Sequence, residues 1–116
     1  MKRALTVAAL AAACLLAGCA SGLVRGGDAY ADLAAEDVAL ASAAMQEVLE
    51  TGHDGKQVDW ANGTTGRSGS VKPLSTYVTS NGYFCRSYEE RLRHGEREKG
   101  YRHDACRNEQ GVWIWL

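Results

Sequence analysis

Residues 83–107 read YFCRSYEERLRHGEREKGYRHDACR, and this stretch decides the fold. Two Cys-Arg dipeptides, Cys85-Arg86 and Cys106-Arg107, stand on either side of Gly95. Folding about Gly95-Glu96 brings Cys85 opposite Cys106, Arg93 opposite Glu98 and Glu89 opposite Arg102. A two-residue turn with glycine first suits type II′. Opposed charges and opposed cysteines all follow from that single register. Counted outward from the turn, the cysteines fall at a non-hydrogen-bonded pair, where antiparallel chains approach most closely. A disulfide spans that separation. The stretch is therefore predicted to be a disulfide-stapled hairpin, and closing a loop of about 20 residues stabilises it by roughly 3 kcal/mol.

The flanks extend the sheet. Upstream, Asn81-Gly82 between Tyr77-Val78-Thr79 and Tyr83-Phe84-Cys85 is a strong hairpin signal. A two-residue turn there would set Tyr77 opposite Arg86. Ser68 to Thr79 reads as a strand interrupted at Pro73, which cannot donate to the ladder, so a bulge is expected. Gln57 to Ala61 alternates, and the chain turns at Asn62-Gly63-Thr64-Thr65-Gly66. The match of Asn62-Gly63-Thr64 to a glycosylation acceptor is read only as a turn. Downstream, Asn108 to Gly111 turns the chain into a closing strand, Val112-Trp113-Ile114-Trp115-Leu116.

Before the strands lies one helix. Ala34 to Thr51 is alanine-rich, with Leu33, Val38, Ala41, Met45, Val48 and Leu49 at helical steps. Gly52 is placed to end it, and the stripe could reach back to Tyr30. Acidic residues at 28, 32, 36, 37, 47, 50 and 54 have no basic residue among them. They suit a solvated face, a basic partner, or the chain's own basic hairpin. The expected fold class is α+β, with one N-terminal helix packed on a five-stranded antiparallel β-meander in a small single domain.

The N-terminus gives an address. Lys2 and Arg3 precede an uncharged apolar run from Leu5 to Leu16, which small residues close. That is the pattern of a secretory signal, and the run is too short to span a bilayer. Leu16-Ala17-Gly18-Cys19 resembles the lipobox of bacterial lipoproteins. The resemblance implies cleavage before Cys19, a thioether-linked diacylglycerol on its thiol and acylation of its new amino group. Several acyl chains make such anchoring stable. No aspartate follows Cys19, so the outer membrane is expected, on its periplasmic face or at the cell surface. The expected organisation is a signal peptide over 1–18, a flexible tether over 19–34 and the helix-plus-meander domain over 35–116. Cys14 leaves with the signal and Cys19 takes lipid, so Cys85 and Cys106 remain as a pair in an oxidising compartment.

The residue chemistry is otherwise sparse. The formal charge is −1, and loss of Lys2 and Arg3 makes it −3, so nucleic acid is not an expected partner. Cys85, His94, His103 and Cys106 are zinc-ligand types without zinc-site spacing. His103 and Cys106 point to opposite strand faces, so no metal or other cofactor is expected. The histidines read as surface residues. No serine elbow, phosphate-binding glycine loop or spaced carboxylate pair selects an enzyme mechanism. Arg86 and Arg107 each follow a cysteine and share a hairpin face. With Tyr77 beside them they could bind a carboxylate or phosphate, or they could close ion pairs with the helix. Trp60, Trp113 and Trp115 are read as core.

In order along the chain, Trp60-x-Asn62, Thr65-Gly66-x-x-Gly69-x-Val71, Cys85-Arg86-x-Tyr88, Ala105-Cys106-Arg107 and Gly111-x-Trp113 resemble the C-terminal domain of the 17-kDa surface antigen family of bacterial outer-membrane lipoproteins. The resemblance runs from about Asp37 to the C-terminus. It implies a small envelope-facing β-domain without known enzymatic activity. A proline often stands in the family where Gly63 stands here. The family's glycine-zipper segment is absent, and an alanine-rich helix takes its place. Two functions are therefore carried forward. One is a structural or interaction lipoprotein of the envelope, touching the membrane through Cys19, with an envelope protein or peptidoglycan as the candidate partner. The alternative is a periplasmic binding or inhibitory module that turns a basic Arg86/Arg107 face to an acidic ligand.

Overall fold

The structure, a computed structural model, describes residues 27–116. The expected signal peptide over 1–18, Cys19 and the expected tether as far as residue 26 lie outside the described residues. A 3-10 turn (Gly27–Tyr30) leads to helix α1 (Ala35–Thr51). Five strands follow, β1 (Val58–Asn62), β2 (Arg67–Val78), β3 (Phe84–His94), β4 (Arg97–Arg107) and β5 (Trp113–Trp115). They form one antiparallel sheet in the order β1-β2-β3-β4-β5, so each strand pairs with its sequence neighbour. The expected α+β architecture of one helix on a five-stranded meander is the one observed.

The central hairpin has the register read from its sequence. Cys85 faces Cys106, Glu89 faces Arg102 and Arg93 faces Glu98. Gly95 has φ 64°, as the first central position of a type II′ turn requires. Cys85 and Cys106 are joined as a disulfide, with their Cα atoms 3.9 Å apart. The break at Pro73 is also present, since the β2–β3 register shifts between Pro73 and Ser75.

The preceding hairpin is out by one residue. Its turn runs from Thr79 to Tyr83, with Gly82 N–H donating to Thr79 O at 2.9 Å and Gly82 at φ 92°. Three residues make the connection, with the left-handed glycine closing it as a bulge. Tyr77 therefore faces Cys85, and Thr76 takes the place opposite Arg86. A one-residue slip moves a side chain to the other sheet face, so Tyr77 lies on the face opposite Arg86 and Arg107.

Alternation along β3 sorts its residues. Arg86, Tyr88, Glu90 and Leu92 share the face on which α1 packs, while Cys85, Ser87, Glu89 and Arg91 lie on the other face. Ala41, Ala44, Met45, Val48 and Leu49 of α1 form the core with Trp60, Val71, Tyr88, Ala105 and Trp113. Gly69 pairs with Trp60. A Cβ on Gly69 would lie 2.6 Å from both Trp60 Nε1 and Arg91 O, so the indole needs glycine beneath it.

Tyr30 falls inside the span assigned to the tether but is buried in the core. Its ring meets Trp115 at 5.2 Å. It reaches the core from the 3-10 turn rather than by a backward extension of α1. The helix starts at Ala35 because Asp37 turns back to accept the Ala34 N–H at 3.0 Å. It ends at Gly52, which is extended rather than left-handed. The helix bonds to the sheet's last strand at Trp113. Gln46 Nε2 donates to Trp113 O at 2.7 Å, and Gln46 Oε1 accepts Trp113 N–H at 2.9 Å.

Candidate functional site

Arg86, one of the three candidate binding residues read from the sequence with Arg107 and Tyr77, is only 6% exposed. Strand alternation points it under the end of α1. Its Nη1 donates to Leu49 O and Gly52 O, each at 2.8 Å, and more weakly to Val48 O at 3.4 Å. Its Nη2 donates to Asp54 Oδ1 at 2.8 Å. The last carbonyls of a helix lack intrahelical partners and carry the negative end of its dipole. Arg86 satisfies both needs from the neighbouring sheet. The guanidinium bond is the main reason the Asp54 carboxyl lies below its ordinary value.

Arg107 is likewise paired. Its Nε and Nη2 donate to the two oxygens of Glu50 at 2.8 and 3.1 Å. Glu50 also accepts Trp113 Nε1–H at 2.9 Å. Arg107 and Trp113 together hold the Glu50 carboxyl below its ordinary value. Tyr77 donates to Asp104 at 3.3 Å, and Ser87 donates to the same oxygen at 2.5 Å. Arg86, Arg107 and Tyr77 do not form an open basic face. The two arginines meet the acids and carbonyls of α1, and Tyr77 stands across the sheet from them.

Two carboxylates that are buried went unremarked as sites in the sequence. Asp37 is fully buried at the other end of α1. Burial opposes its charge, but bonds from Thr65, the Ala34 N–H and Asn62, with Arg67 nearby, outweigh it and lower its pKa. Asn62 and Thr65 donate to Oδ1 at 2.8 and 2.7 Å. The helix is thus held at both ends by polar contacts to the sheet, through Asp37 at its start and Arg86 at its finish. Glu90 is the second buried carboxylate. Tyr30 OH donates to it at 2.5 Å, and His103 Nε2 lies 3.0 Å from its other oxygen. His103 is not a free surface residue, because its ring stacks on Trp115 at 4.6 Å. Trp115 Nε1 donates to Tyr88 OH. The Tyr30 hydroxyl is pushed far up by burial and by the Glu90 charge, and that of Tyr88 by the same two causes.

Two surface features remain. At the tip of the β3–β4 hairpin a half-open cleft of about 180 Å³ lies between the chain entering at Ala29 to Leu33 and the strand ends. Leu92 and Tyr101 line it together with Arg67, Arg93, Arg97 and Lys99. At the disulfide end, Tyr83, Phe84, Ile114 and Leu116 are exposed. Among the described residues no group of three or more His, Cys, Asp or Glu side chains is arranged to hold a metal. No described helix is long and apolar enough to cross a membrane.

The residues that carry the family resemblance can now be assigned. Trp60 and Val71 are core, Asn62 and Thr65 hold Asp37, and Gly69 makes room for Trp60. Cys85 and Cys106 form the staple, Arg86 and Arg107 bind α1, and Tyr88, Ala105 and Trp113 complete the core. These motifs describe how the domain holds its helix. Comparison with known proteins agrees. Residues 47–114 match the family model described as 17 kDa outer membrane surface antigen. The 17 kDa surface antigen of Rickettsia conorii is 36% identical over 78 residues, covering 67% of this chain and 49% of that protein. Those of Rickettsia australis and Rickettsia prowazekii are 37% identical over 76 residues and 32% identical over 78. The chain spans about half the length of the curated relatives it matches. No solved structure matches it. With more than half of its residues under that family model, and the family's motifs building its core, staple and helix clamps, the chain belongs to the 17 kDa outer membrane surface antigen family.

Proposed function

We propose that the protein is an outer-membrane lipoprotein, anchored through a diacylglyceryl thioether on Cys19, whose domain has a structural or protein-contact role and no catalytic one. The observation that carries the role is the commitment of the domain's reactive groups to its own architecture. Arg86, Asp37 and Glu90 are each bonded within the fold, and Arg107 is paired with Glu50. A catalytic site needs a nucleophile, base or oxyanion donor converging on open space. The anchoring half rests on Leu16-Ala17-Gly18-Cys19 and on membership in an outer-membrane family. Fractionation of envelopes tests it. The native chain should band with the outer membrane, and Cys19→Ala should not. Equal recovery of the two in that fraction would refute anchoring at this residue. Crosslinking in intact cells tests the contact role, with a discrete adduct expected for the native chain and absent for Cys19→Ala. No adduct above that control would leave a purely structural role.

A further inference from the structure

We propose that the cleft at the β3–β4 hairpin tip is a docking site for anionic lipid headgroups, and that it turns this end of the domain against the membrane. The inference rests on anchoring through Cys19. Its first support is charge. Arg67, Arg93, Arg97 and Lys99 line the cleft, while Asp32 and Glu98 are the acids that line it, which leaves an excess of two positive charges. Among the described residues Arg97 and Lys99 form no ion pair. Arg93 gives its Nε to Glu98 at 2.6 Å, and Arg67 lies 3.8 Å from Asp37. Two cations are thus uncommitted, beside a small apolar floor of Leu33, Leu92 and Tyr101.

The second support is connectivity. Ala29, Asp32 and Leu33, where the chain enters the domain, form one wall of the cleft. From Cys19 to Gly27 the backbone can reach at most about 28 Å. The cleft therefore stays within one tether length of the lipid. The disulfide end is separated from it by β4, which spans roughly 33 Å. An attraction to an anionic surface at the near end points the apolar residues Tyr83, Phe84, Ile114 and Leu116 away from the bilayer. Basic side chains beside an anionic bilayer each contribute about fivefold in equilibrium terms, so two net charges favour contact roughly 30-fold at moderate salt.

The test uses the lipidated protein reconstituted into vesicles of phosphatidylcholine alone or with phosphatidylglycerol, probed by amine-reactive labelling and mass spectrometry. Lys56 and Lys72 lie away from the cleft and serve as internal controls. Lys99 should label at least about fivefold more slowly in the anionic vesicles, Lys56 and Lys72 should not change, and high salt should reverse the protection. Arg97→Glu, a change at an exposed residue at the start of β4, removes the net charge and should abolish the protection with the thermal midpoint unchanged. Equal Lys99 labelling in the two vesicle types overturns the proposal, as does protection that survives Arg97→Glu. Failure of the protein to float with phosphatidylcholine vesicles overturns anchoring itself, and this proposal with it.

Discussion

Replacing Arg86 by methionine separates a clamp from a ligand-binding residue. The substitution keeps an apolar stem of similar reach and removes the guanidinium. Leu49 O and Gly52 O then lose their donors, and Asp54 loses its ion-pair partner. A buried acceptor left unsatisfied costs about 1–3 kcal/mol. Two such carbonyls give roughly 2–6 kcal/mol before relaxation. Two effects reduce that figure. Arg86 itself is a buried charge whose Nε has no hydrogen-bond partner, and Asp54 is exposed enough to be rehydrated. The expected net loss is about 3 kcal/mol, a large share of the ~5–15 kcal/mol typical of a domain. At a urea m-value of about 1–1.5 kcal/mol/M, the midpoint should fall by roughly 2–3 M with m unchanged. Arg107→Met is the internal comparison. Its pair with Glu50 is on the surface, with side-chain exposures of 41% and 42%, so its midpoint should move far less. The reasoning fails if Arg86→Met is no more destabilising than Arg107→Met. A gain in stability would mean that Arg86 is retained for something it binds.

Other perturbations test other joints. Replacing Cys85 and Cys106 by serine should cost about 3 kcal/mol of folding free energy in a thermal or urea melt; a loss under about 1 kcal/mol would show that the hairpin does not need its staple. Gly69→Ala places a Cβ against Trp60 and Arg91 O, so a loss of about 1–3 kcal/mol with altered tryptophan fluorescence is expected, and a neutral result would contradict the close packing. Asp37 has a folded pKa below its unfolded 3.8, so its contribution is present above that pH and fades as acid carries the solution down through the folded value. The stability difference between the native chain and Asp37→Asn should therefore shrink below about pH 4, and a difference independent of pH would contradict the charge-stabilised clamp. Tyr30 and Tyr88 have folded values raised above 10.0, so their contribution is whole below pH 10 and falls as pH rises beyond it. Absorbance should show both phenols ionising together with unfolding, whereas their titration in a still-folded chain would contradict their burial.

The central hairpin was legible because two constraints agreed. The turn residues and the Cys-Arg spacing specify one register, and a disulfide tolerates no other. The neighbouring hairpin had only its Asn81-Gly82 dipeptide. That pair serves a two-residue turn and a three-residue turn with a glycine bulge alike, and the choice between them moved Tyr77 across the sheet. Arg86 and Arg107 were placed correctly on one face, but not what they meet there. Register gives a face, and only the position of α1 shows that its carbonyls end over Arg86. Glu90 and His103 could have been found by extending the same parity, since both fall on the face of Tyr88. His103 is instead read by residue type, as a surface histidine. Tyr30 lies on the apolar stripe that reaches back from the helix, but its route into the core, from a 3-10 turn onto Glu90 and Trp115, is set by long-range contacts.

The anchored, stapled domain is tested most directly by mass spectrometry of the protein taken from bacterial envelopes, with thiols blocked before and after reduction. The account requires a chain that begins at a diacylglyceryl-modified, N-acylated Cys19, with Cys85 and Cys106 blocked only after reduction. A chain that begins at Met1 or at an unmodified Cys19, or one whose Cys85 and Cys106 react without reductant, would contradict it.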